Sequence, residues 1–398
     1  MEVSPGYRLT EVGVIPEEWE VKHLRDFTTI ATGSTPPTSD AANYGDEFLF
    51  VSPVDMGDTK TITHTEKRLS KKGFSNSRRF PKGSVLFVCI GSTIGKCGMA
   101  STELTSNQQI NAIFPSETFS PDFLYYSVSA AAPRVRALAG EQAVPLVNKS
   151  QFSETRLALP PLHEQRAIAA ALSDVDALLA GLDRLIAKKR DLKQAAMQQL
   201  LTGQTRLPGF HGEWDVKRLG EVARIKTGKR NNEDKTEDGQ YPFFVRSEVV
   251  ERINSYSHDC EAILVPGEGR IGDIFHYING RFDVHQRVYA ITQFKPGISA
   301  KFVYLYMAMN FGAWAMQNTV KATVDSLRLP TFQTFEMLIP PTEDEQIAIA
   351  AVLSDMGAEL SAIEARRNKT RALKQGMMQE LLTGRTRLVW AKNATPLT

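Results

Sequence analysis

An internal duplication is the feature that most restricts how this chain can fold. The segment Lys193–Leu207, KQAAMQQLLTGQTRL, returns 181 residues later at Lys374–Leu388 as KQGMMQELLTGRTRL, with eleven of fifteen positions identical. The match extends back to Leu157 and Met337, and two further pairs lie upstream in the same order: EWEVKHL with EWDVKRL, and SVLFVCIGSTIGK with AILVPGEGRIGD. Two copies of one unit, each of about 180–195 residues, therefore fill the chain.

Each copy divides into a strand-rich part and a helical part. Short β-rich runs with turn signals, such as Ser84–Gly91, predict a compact α+β globule in the first part. The second part begins after a Pro-Pro pair and contains no proline until Gly203 or Gly384, each a candidate helix C-cap. The predicted domains are 1–156 (lead-in and first globule), 157–207 (first long helix), 208–336 (second globule) and 337–398 (second long helix and tail).

The two helical parts carry an apolar stripe with alternating spacings of four and three residues. The stripe is too narrow to be buried by a small globule, so it predicts a partner helix with a matching stripe, and the other copy supplies one. We also expect the stripe to continue through Leu192, Ala196 and Leu200 in the first copy and through Leu373, Met377 and Leu381 in the second. The seam should drift near Lys188, Lys189, Arg366 and Arg367. A long helix within one ordinary core is the alternative. The stripe positions are Ile168, Leu172, Val175, Leu179, Leu182 and Ile186, and Ile349, Leu353, Met356, Leu360 and Ile363.

The relation between the copies predicts how the helices pair. Two copies related by a pseudo-twofold axis place their helices antiparallel. The N-terminal YRLTEVGVIPEEW also resembles TRLPGFHGEW, which precedes the second globule, so we expect the chain ends to meet in a circular arrangement. The predicted fold class is therefore α+β, with two similar globules separated by two long helices that form an antiparallel coiled coil.

Composition excludes some classes of protein. The 398 residues are 42% hydrophobic and 23% charged, which is typical of a folded chain of two to three domains. The apolar runs are too short to span a bilayer, no secretory signal is visible, and Cys89, Cys97 and Cys260 form no CxxC pair. We therefore expect a cytoplasmic protein with no membrane partner.

Charge is concentrated locally although the net charge is only +2. The segment Thr61–Lys82 contains seven Lys or Arg residues and one Glu. Such a cluster is either a solvated loop or a contact for nucleic acid.

Two glycine-rich turns resemble nucleotide-binding motifs. Gly267–Gly272, GEGRIG, fits GxGxxG, and Gly91–Cys97, GSTIGKC, approaches a P-loop but lacks one spacer residue and has Cys97 where Ser or Thr is needed. Both stand at the same place in the two copies and share only Ile-Gly and a turn, which favours a strand-to-strand turn. The seven histidines are scattered without zinc-type spacing, and no catalytic motif is present.

The order of the repeated motifs identifies a family. LPPLHEQRAIAAAL and IPPTEDEQIAIAAVL, QQLLTG and QELLTG, TGSTP and GSTIGK together resemble the specificity subunit of type I restriction–modification enzymes, over essentially the full chain. The second copy departs from the pattern: Thr342 replaces Leu162, one extra residue precedes Glu345, and TGKRNN lacks the Thr-Pro of TGSTP.

The resemblance implies a function and a set of partners. Each globule would be a target recognition domain for one half of a bipartite site in double-stranded DNA. The helix pair would set the spacer and dock two methyltransferase subunits, which use S-adenosylmethionine; restriction subunits with ATP and Mg would join where the complex cuts DNA. The chain itself would be non-catalytic and bind no cofactor.

Candidate DNA-binding residues are cations, amides and two hydroxyl residues, because these side chains contact phosphates and base edges. The alternative for each is a solvated side chain. In the first globule they are Lys71, Lys72, Arg78, Arg79 and Lys82 as a phosphate-contacting strip, with Ser92, Thr93, Lys96, Asn107 and Gln108. In the second they are Lys229, Arg230, Asn231, Asn232, Arg246 and Arg270.

Two other classes of function compete with DNA recognition. A scaffold would use two protein-binding heads on a coiled coil without DNA, and the cationic strip argues against it. A nucleotide-dependent enzyme would use the glycine-rich turns, whose departures from the motifs argue against that reading.

Overall fold

The computed structural model describes residues 4–57, 59–140, 143–270, 272–317 and 326–388. The chain forms two compact units, Met1–Gly181 with Arg366–Thr398 and Leu182–Ala365. The division falls inside both long helices, so each unit holds one globule and one half of each helix. Ile271, in the second Ile-Gly turn, and the tail beyond residue 388 lie outside the described residues.

The first copy contains short strands and helices followed by one long helix. Its strands are β1 (Tyr7–Thr10), β2 (Gly13–Pro16), β3 (Glu20–His23), β4 (Ile30–Thr32), β5 (Tyr44–Val51), β6 (Thr61–Ile62), β7 (Lys67–Leu69), β8 (Arg79–Phe80), β9 (Val85–Val88), β10 (Cys97–Ala100), β11 (Leu104–Ser106), β12 (Ile110–Ile113) and β13 (Arg156–Leu159). Its helices are α1 (Leu24–Phe27), α2 (Lys71–Ser75), α3 (Pro121–Ala137), α4 (Lys149–Ser153) and α5 (Leu162–Leu201).

Two sheets form the first globule. One has the strand order β4-β12-β9-β10-β6 and the other β7-β5-β11-β8. All four residues of β9 are buried, because one face packs with α3 residues such as Leu124 and the other packs with Phe80 and Leu104. A continuous apolar run is the pattern expected of a strand covered on both faces.

The second copy repeats this plan with fewer, longer strands. Its strands are β14 (Asp215–Arg218), β15 (Arg224–Thr227), β16 (Tyr241–Phe244), β17 (Glu251–Ile253), β18 (His258–Pro266), β19 (His276–Val284), β20 (Val288–Thr292) and β21 (Glu336–Ile339). Its helices are α6 (Leu219–Val222), α7 (Ala300–Gln317), α8 (Leu329–Gln333) and α9 (Glu343–Leu381). One sheet, in the order β15-β20-β18-β19-β16-β17, forms the core of the second globule.

The repeated EWxVKxL motif closes each globule. Its strand β3 pairs antiparallel with β13, which leads directly into α5, and β14 pairs in the same way with β21, which leads into α9. The start of each globule is thereby held beside the start of its own long helix.

In each unit the two long-helix segments run antiparallel, as predicted. In the first unit Ile168 and Leu172 of α5 pack with Leu381 of α9, and Asp176 pairs with Lys374. In the second unit Leu200 packs with Ile349, and Lys189 pairs with Glu359.

Helix α9 is long and apolar enough to cross a membrane by length and composition alone, since one 18-residue window in it has a mean hydropathy of 1.3.

The expectation about the stripe was wrong at two equivalent positions. Leu192 and Leu373 are exposed, because the four-three spacing brings Lys193 and Lys374 into the seam instead. A seam position is also occupied by Lys189, whose ammonium bonds Glu359 at 2.7 Å. The aliphatic parts of these lysine side chains therefore continue the apolar stripe through the region where we expected the seam to drift.

The first strand meets the end of the second long helix within the first unit, as the circular arrangement predicted. The Tyr7 hydroxyl donates to the carbonyl of Gly384 at 2.9 Å. A Cβ at Gly384 would lie 3.1 Å from the Trp19 ring, and a Cβ at Gly203 would lie 3.3 Å from the Trp214 ring. Both glycines have φ near +70° and follow the last turn of a long helix, which confirms the predicted C-caps.

Candidate nucleic-acid interface

A loop that follows β4 packs tightly on a second loop between β11 and β12. Gly33 donates its N–H to the Ile110 carbonyl at 2.9 Å, and a Cβ at Gly33 would stand 2.0 Å from the Asn107 carbonyl oxygen. The Thr35 hydroxyl bonds the Gln108 side-chain oxygen at 2.7 Å. Only glycine allows this approach, which explains the Thr-Gly that begins TGSTP.

Arg78, from the segment before β8, binds the first of these two loops. Its guanidinium donates to the Thr32 carbonyl at 2.6 Å, and its backbone N–H donates to the Ser34 hydroxyl at 2.8 Å. We call Thr32–Thr35, Arg78 and Asn107–Gln109 the first recognition cluster. The structure thus brings three of the predicted residues, Arg78, Asn107 and Gln108, into one surface cluster.

Gln109 connects this cluster to the Ile-Gly turn. Its side-chain oxygen accepts from Asn107 at 2.9 Å, and its amide nitrogen lies 3.5 Å from the Ile90 carbonyl. Beyond Ile90, Ser92 is exposed and Thr93 half-buried. Lys96 is turned inward, donating to the Pro53 carbonyl at 3.2 Å, which makes it a weaker candidate for a DNA contact.

The cationic strip of the first globule is exposed. Lys72 pairs with Asp40 at 2.7 Å, and this hydrogen bond lowers the pKa of the Asp40 carboxyl. Within the described residues, the other four strip cations, Lys71, Arg78, Arg79 and Lys82, form no ion pair. Their charges are therefore free to meet a polyanion.

The second globule builds its equivalent loop in the same way. A Cβ at Gly228 would lie 1.9 Å from the Val284 carbonyl oxygen, and the Gln286 N–H donates to the Arg230 carbonyl at 2.8 Å. The Gln286 side chain also bonds the Asn231 side-chain oxygen. We call Arg230, Asn231 and Gln286 the second recognition cluster; Lys229 and Asn232 beside it are exposed.

Arg230 itself is held by the globule. Its guanidinium donates to Asp283 at 3.2 Å and to Ser255 at 3.0 Å. Burial raises the pKa of the Asp283 carboxyl, but hydrogen bonds from Ser257, Ser255, the Val284 N–H and Arg230 outweigh burial and leave that pKa lowered. Arg230 therefore shapes the loop.

The remaining cations predicted for the second globule are paired with acids. Arg246 lies 3.2 Å from Glu268, and Arg270 lies 2.8 Å from Glu248. A phosphate would have to compete with these carboxylates, so we expect weaker phosphate contacts here than in the first globule.

The first Ile-Gly motif is confirmed as a strand-to-strand turn, which joins the antiparallel strands β9 and β10. Of the second motif the structure describes Gly272, which lies between β18 and β19. At the turns Gly95 and Gly272 have positive φ, and a Cβ would meet Ala132 of α3 at 3.0 Å or Gly312 of α7 at 2.5 Å. The shared glycine thus allows the turn to pack against the following helix.

A pair of buried clamps was missed at the sequence level. Glu164, at the start of α5, accepts two hydrogen bonds from Arg387 beyond the end of α9, at 2.5 and 2.8 Å. Glu345, at the start of α9, accepts two from Arg206 beyond the end of α5, at 2.5 and 2.7 Å. Both carboxylates are fully buried, and Trp19 adds a 3.1 Å bond to Glu164.

The glutamine after each clamp carboxylate fixes the globule's helix to the long helix. Gln165 accepts from the Ser120 N–H at 3.0 Å and donates to the Pro160 carbonyl at 2.9 Å. Gln346 accepts from the Ser299 N–H at 2.9 Å and donates to the Pro340 carbonyl at 3.2 Å. The identical Glu-Gln and Thr-Arg-Leu in both copies were the available signal.

The described residues contain no cluster of His, Cys, Asp and Glu suited to a metal ion. Burial raises the pKa of the Cys89 and Cys97 thiols to about 12, so neither is an activated nucleophile.

A family model described as the type I restriction modification DNA specificity domain matches the chain twice, at residues 16–188 and 211–371. The chain belongs to this specificity-domain family. Each match covers one globule with most of its long helix, so the duplication seen in the sequence is a duplication of this domain.

Several relatives carry the corresponding name. The type I restriction enzyme MjaIX specificity subunit of Methanocaldococcus jannaschii is 25% identical over 276 residues, which are 64% of this chain and 63% of that protein. The HindI specificity subunit of Haemophilus influenzae is 34% identical over 151 residues, 37% of this chain and 33% of that protein. These matches thus span less than two thirds of each relative.

The fold is that of a solved specificity subunit. The crystal structure of the type I restriction–modification S subunit from M. genitalium superposes with a TM-score of 0.66 at 15% identity, covering 95% of this chain and 98% of that one. The predicted fold class is confirmed. Family membership also favours DNA recognition over a DNA-free scaffold.

Proposed function

We propose that this chain is the DNA-recognition subunit of a type I restriction–modification complex, in which each globule reads one half of a bipartite site. The observation that carries the proposal is the first recognition cluster, where amide and hydroxyl side chains lie beside Arg78, a cation that forms no ion pair within the described residues, on a specificity-domain scaffold. Amides and hydroxyls can read base edges, and free cations can hold the phosphates on either side.

The proposal extends to the partners. Leu192 and Leu373 occupy equivalent positions in the two copies and are 47% and 59% exposed. Two equivalent apolar contacts on the long helices suit two copies of one partner, and we assign them to two methyltransferase subunits. Restriction subunits join where the complex cuts DNA.

Catalysis is assigned to those partners. In this proposal the methyltransferase subunits bind S-adenosylmethionine, and restriction subunits bind ATP and Mg. The specificity subunit is cytoplasmic and catalyses no reaction itself.

The proposal is tested by sequencing methylated bases in a host that carries the methyltransferase gene with and without this gene. We expect one bipartite motif to be methylated only when this chain is present. Methylation that is unchanged by its removal would contradict the proposal. A chain in which Arg78, Asn107 and Gln108 are replaced by Ala should lose the first half-site from the motif and keep its expression level.

A further inference from the structure

In each unit one helix of the globule packs on the long-helix segments, and these two helices have the same register. The N–H of Ser120 before α3 and the N–H of Ser299 before α7 bond Gln165 and Gln346. Position six beyond the serine is Tyr126 in the first unit and Leu305 in the second. The same structural position thus faces two different environments.

In the first unit this position is part of a polar network. The Tyr126 hydroxyl donates to Asp176 of α5 at 2.6 Å and lies 3.2 Å from the Ser173 hydroxyl. The Asp176 carboxylate also bonds the ammonium of Lys374 in α9 at 2.5 Å. Lys60, from a loop of the globule, reaches the Tyr126 hydroxyl at 3.4 Å. One buried tyrosine therefore joins the globule to both helix segments.

In the second unit the same position is apolar. Leu305 is buried in a core that contains Leu353 and Met356 of α9. The residue that corresponds to Asp176 under the 181-residue offset is Gly357, and Lys193 corresponds to Lys374. The Lys193 ammonium lies 3.2 Å from the point where a Cβ at Gly357 would stand. Among the described residues Lys193 forms no ion pair, so the cation is kept while its acid is absent.

We infer that Tyr126 with Asp176, and Leu305 with Gly357, are matched pairs. They make each globule specific for the long-helix segments on which it packs. A tyrosine above Gly357 would bury a hydroxyl without this acceptor, and a leucine above Asp176 would take away the carboxylate's hydroxyl donor. Either mismatch costs free energy, so specificity comes from rejection of the wrong globule as well as from the correct contact.

Asp176 is in this view a positioning residue that acts through Tyr126. It holds the first globule at one orientation on its helix segments, whereas at the equivalent position the second globule is held by apolar packing. Both pairs lie where a globule packs on its own helix segments, so their effect is independent of what the globules bind.

The first test is a double-mutant cycle in the full-length chain, followed by thermal unfolding. Tyr126→Phe removes only the hydroxyl. We expect it to lower the Tm of the first unit by several degrees beside Asp176, and by less than half as much in an Asp176→Ala background, where Ser173 and Lys60 still contact the hydroxyl. Equal losses in both backgrounds would overturn the inference.

The second test transplants the polar pair into the second unit. Leu305→Tyr alone should lower the Tm, and Leu305→Tyr with Gly357→Asp should regain at least half of that loss, because Lys193 can pair with the new carboxylate. Leu305→Tyr with Gly357→Ala is the matched control, since alanine raises helix propensity without supplying an acceptor. If alanine restores the Tm as well as aspartate does, helix propensity explains the effect and the matching idea fails.

Discussion

At the scale of single residues, the two globules use their cations differently. Arg78 and Arg79 are exposed and form no ion pair within the described part of the chain, whereas Arg246 bonds Glu268. A cation already neutralised by a carboxylate releases fewer counterions when it meets a phosphate. The first globule should therefore supply more of the salt-dependent affinity.

We expect Arg78→Ala with Arg79→Ala to weaken DNA binding by the assembled methyltransferase complex and to reduce the salt slope of log K by about two. Fluorescence anisotropy between low and physiological salt measures this slope. Arg246→Ala is the control, and because Glu268 already pairs with this arginine it should change the slope by less than half of the ~0.9 expected for one unpaired cation. An unaltered slope in the double variant would remove both arginines from the interface.

The buried clamps make a second prediction at this scale. Arg206→Ala leaves the Glu345 carboxylate buried without its bidentate partner, which we expect to destabilise the second unit by about 3–5 kcal/mol. Arg387→Ala should cost less in the first unit, because Glu164 keeps its hydrogen bond from Trp19. Thermal or urea unfolding checks the order of the two losses.

A second substitution separates charge burial from lost packing. Arg206→Ala with Glu345→Gln should recover part of the stability, since the buried charge is removed. A double variant no more stable than Arg206→Ala alone would contradict this explanation.

These clamps also show what sequence reasoning could not supply at the residue scale. Glu164 and Arg387 are 223 residues apart, and nothing in their local sequence shows that they meet. The helix C-cap glycines were predictable because a positive φ is a local requirement. Pairing across the antiparallel helices is not local, so the sequence around Glu345 does not show that this residue meets Arg206.

At the scale of elements, periodicity predicted the long helices and most of the apolar stripe. One stripe position in each helix was predicted wrongly. Leu192 and Leu373 are apolar, and hydrophobicity alone favoured them for the seam. The four-three spacing places Lys193 and Lys374 there instead, and one of these lysines has Asp176 as its partner. Strand number in the globules was less predictable, because β6 and β8 have two residues each.

The exposed Leu192 and Leu373 lead to a prediction about docking of the methyltransferase subunits. Leu192→Asp with Leu373→Asp should abolish co-purification of the methyltransferase subunit and leave the Tm of the isolated chain within about 2 °C, because surface substitutions cost little. Either single change should leave one methyltransferase subunit bound. Native mass spectrometry reads the stoichiometry, and Val249→Asp, at another exposed apolar residue, is the control. Two bound subunits in the double variant would contradict the proposed docking sites.

At the scale of the whole molecule, the duplication explains why the same helix end occurs twice. Each copy supplies a globule, a helix half for its own unit, and a helix half and clamp arginine for the other unit. The repeat was enough to predict the fold class and the order of globules and helices along the chain. It could not predict the contacts that distinguish how the two globules pack on the helices, because these depend on side chains that diverged after the duplication, such as Tyr126 and Leu305.

We infer that the long helices set the gap between two DNA half-sites. The most direct measurement is methylome sequencing after insertion of four residues near the middle of both α5 and α9. Each insertion adds about 6 Å and about 40° of rotation, comparable to one or two base pairs at ~3.4 Å each. We expect the same two half-sites with a gap one or two pairs longer, whereas insertion into α5 alone should break the seam and destabilise the chain. Altered half-sites with an unchanged gap in the doubly inserted chain would contradict the account.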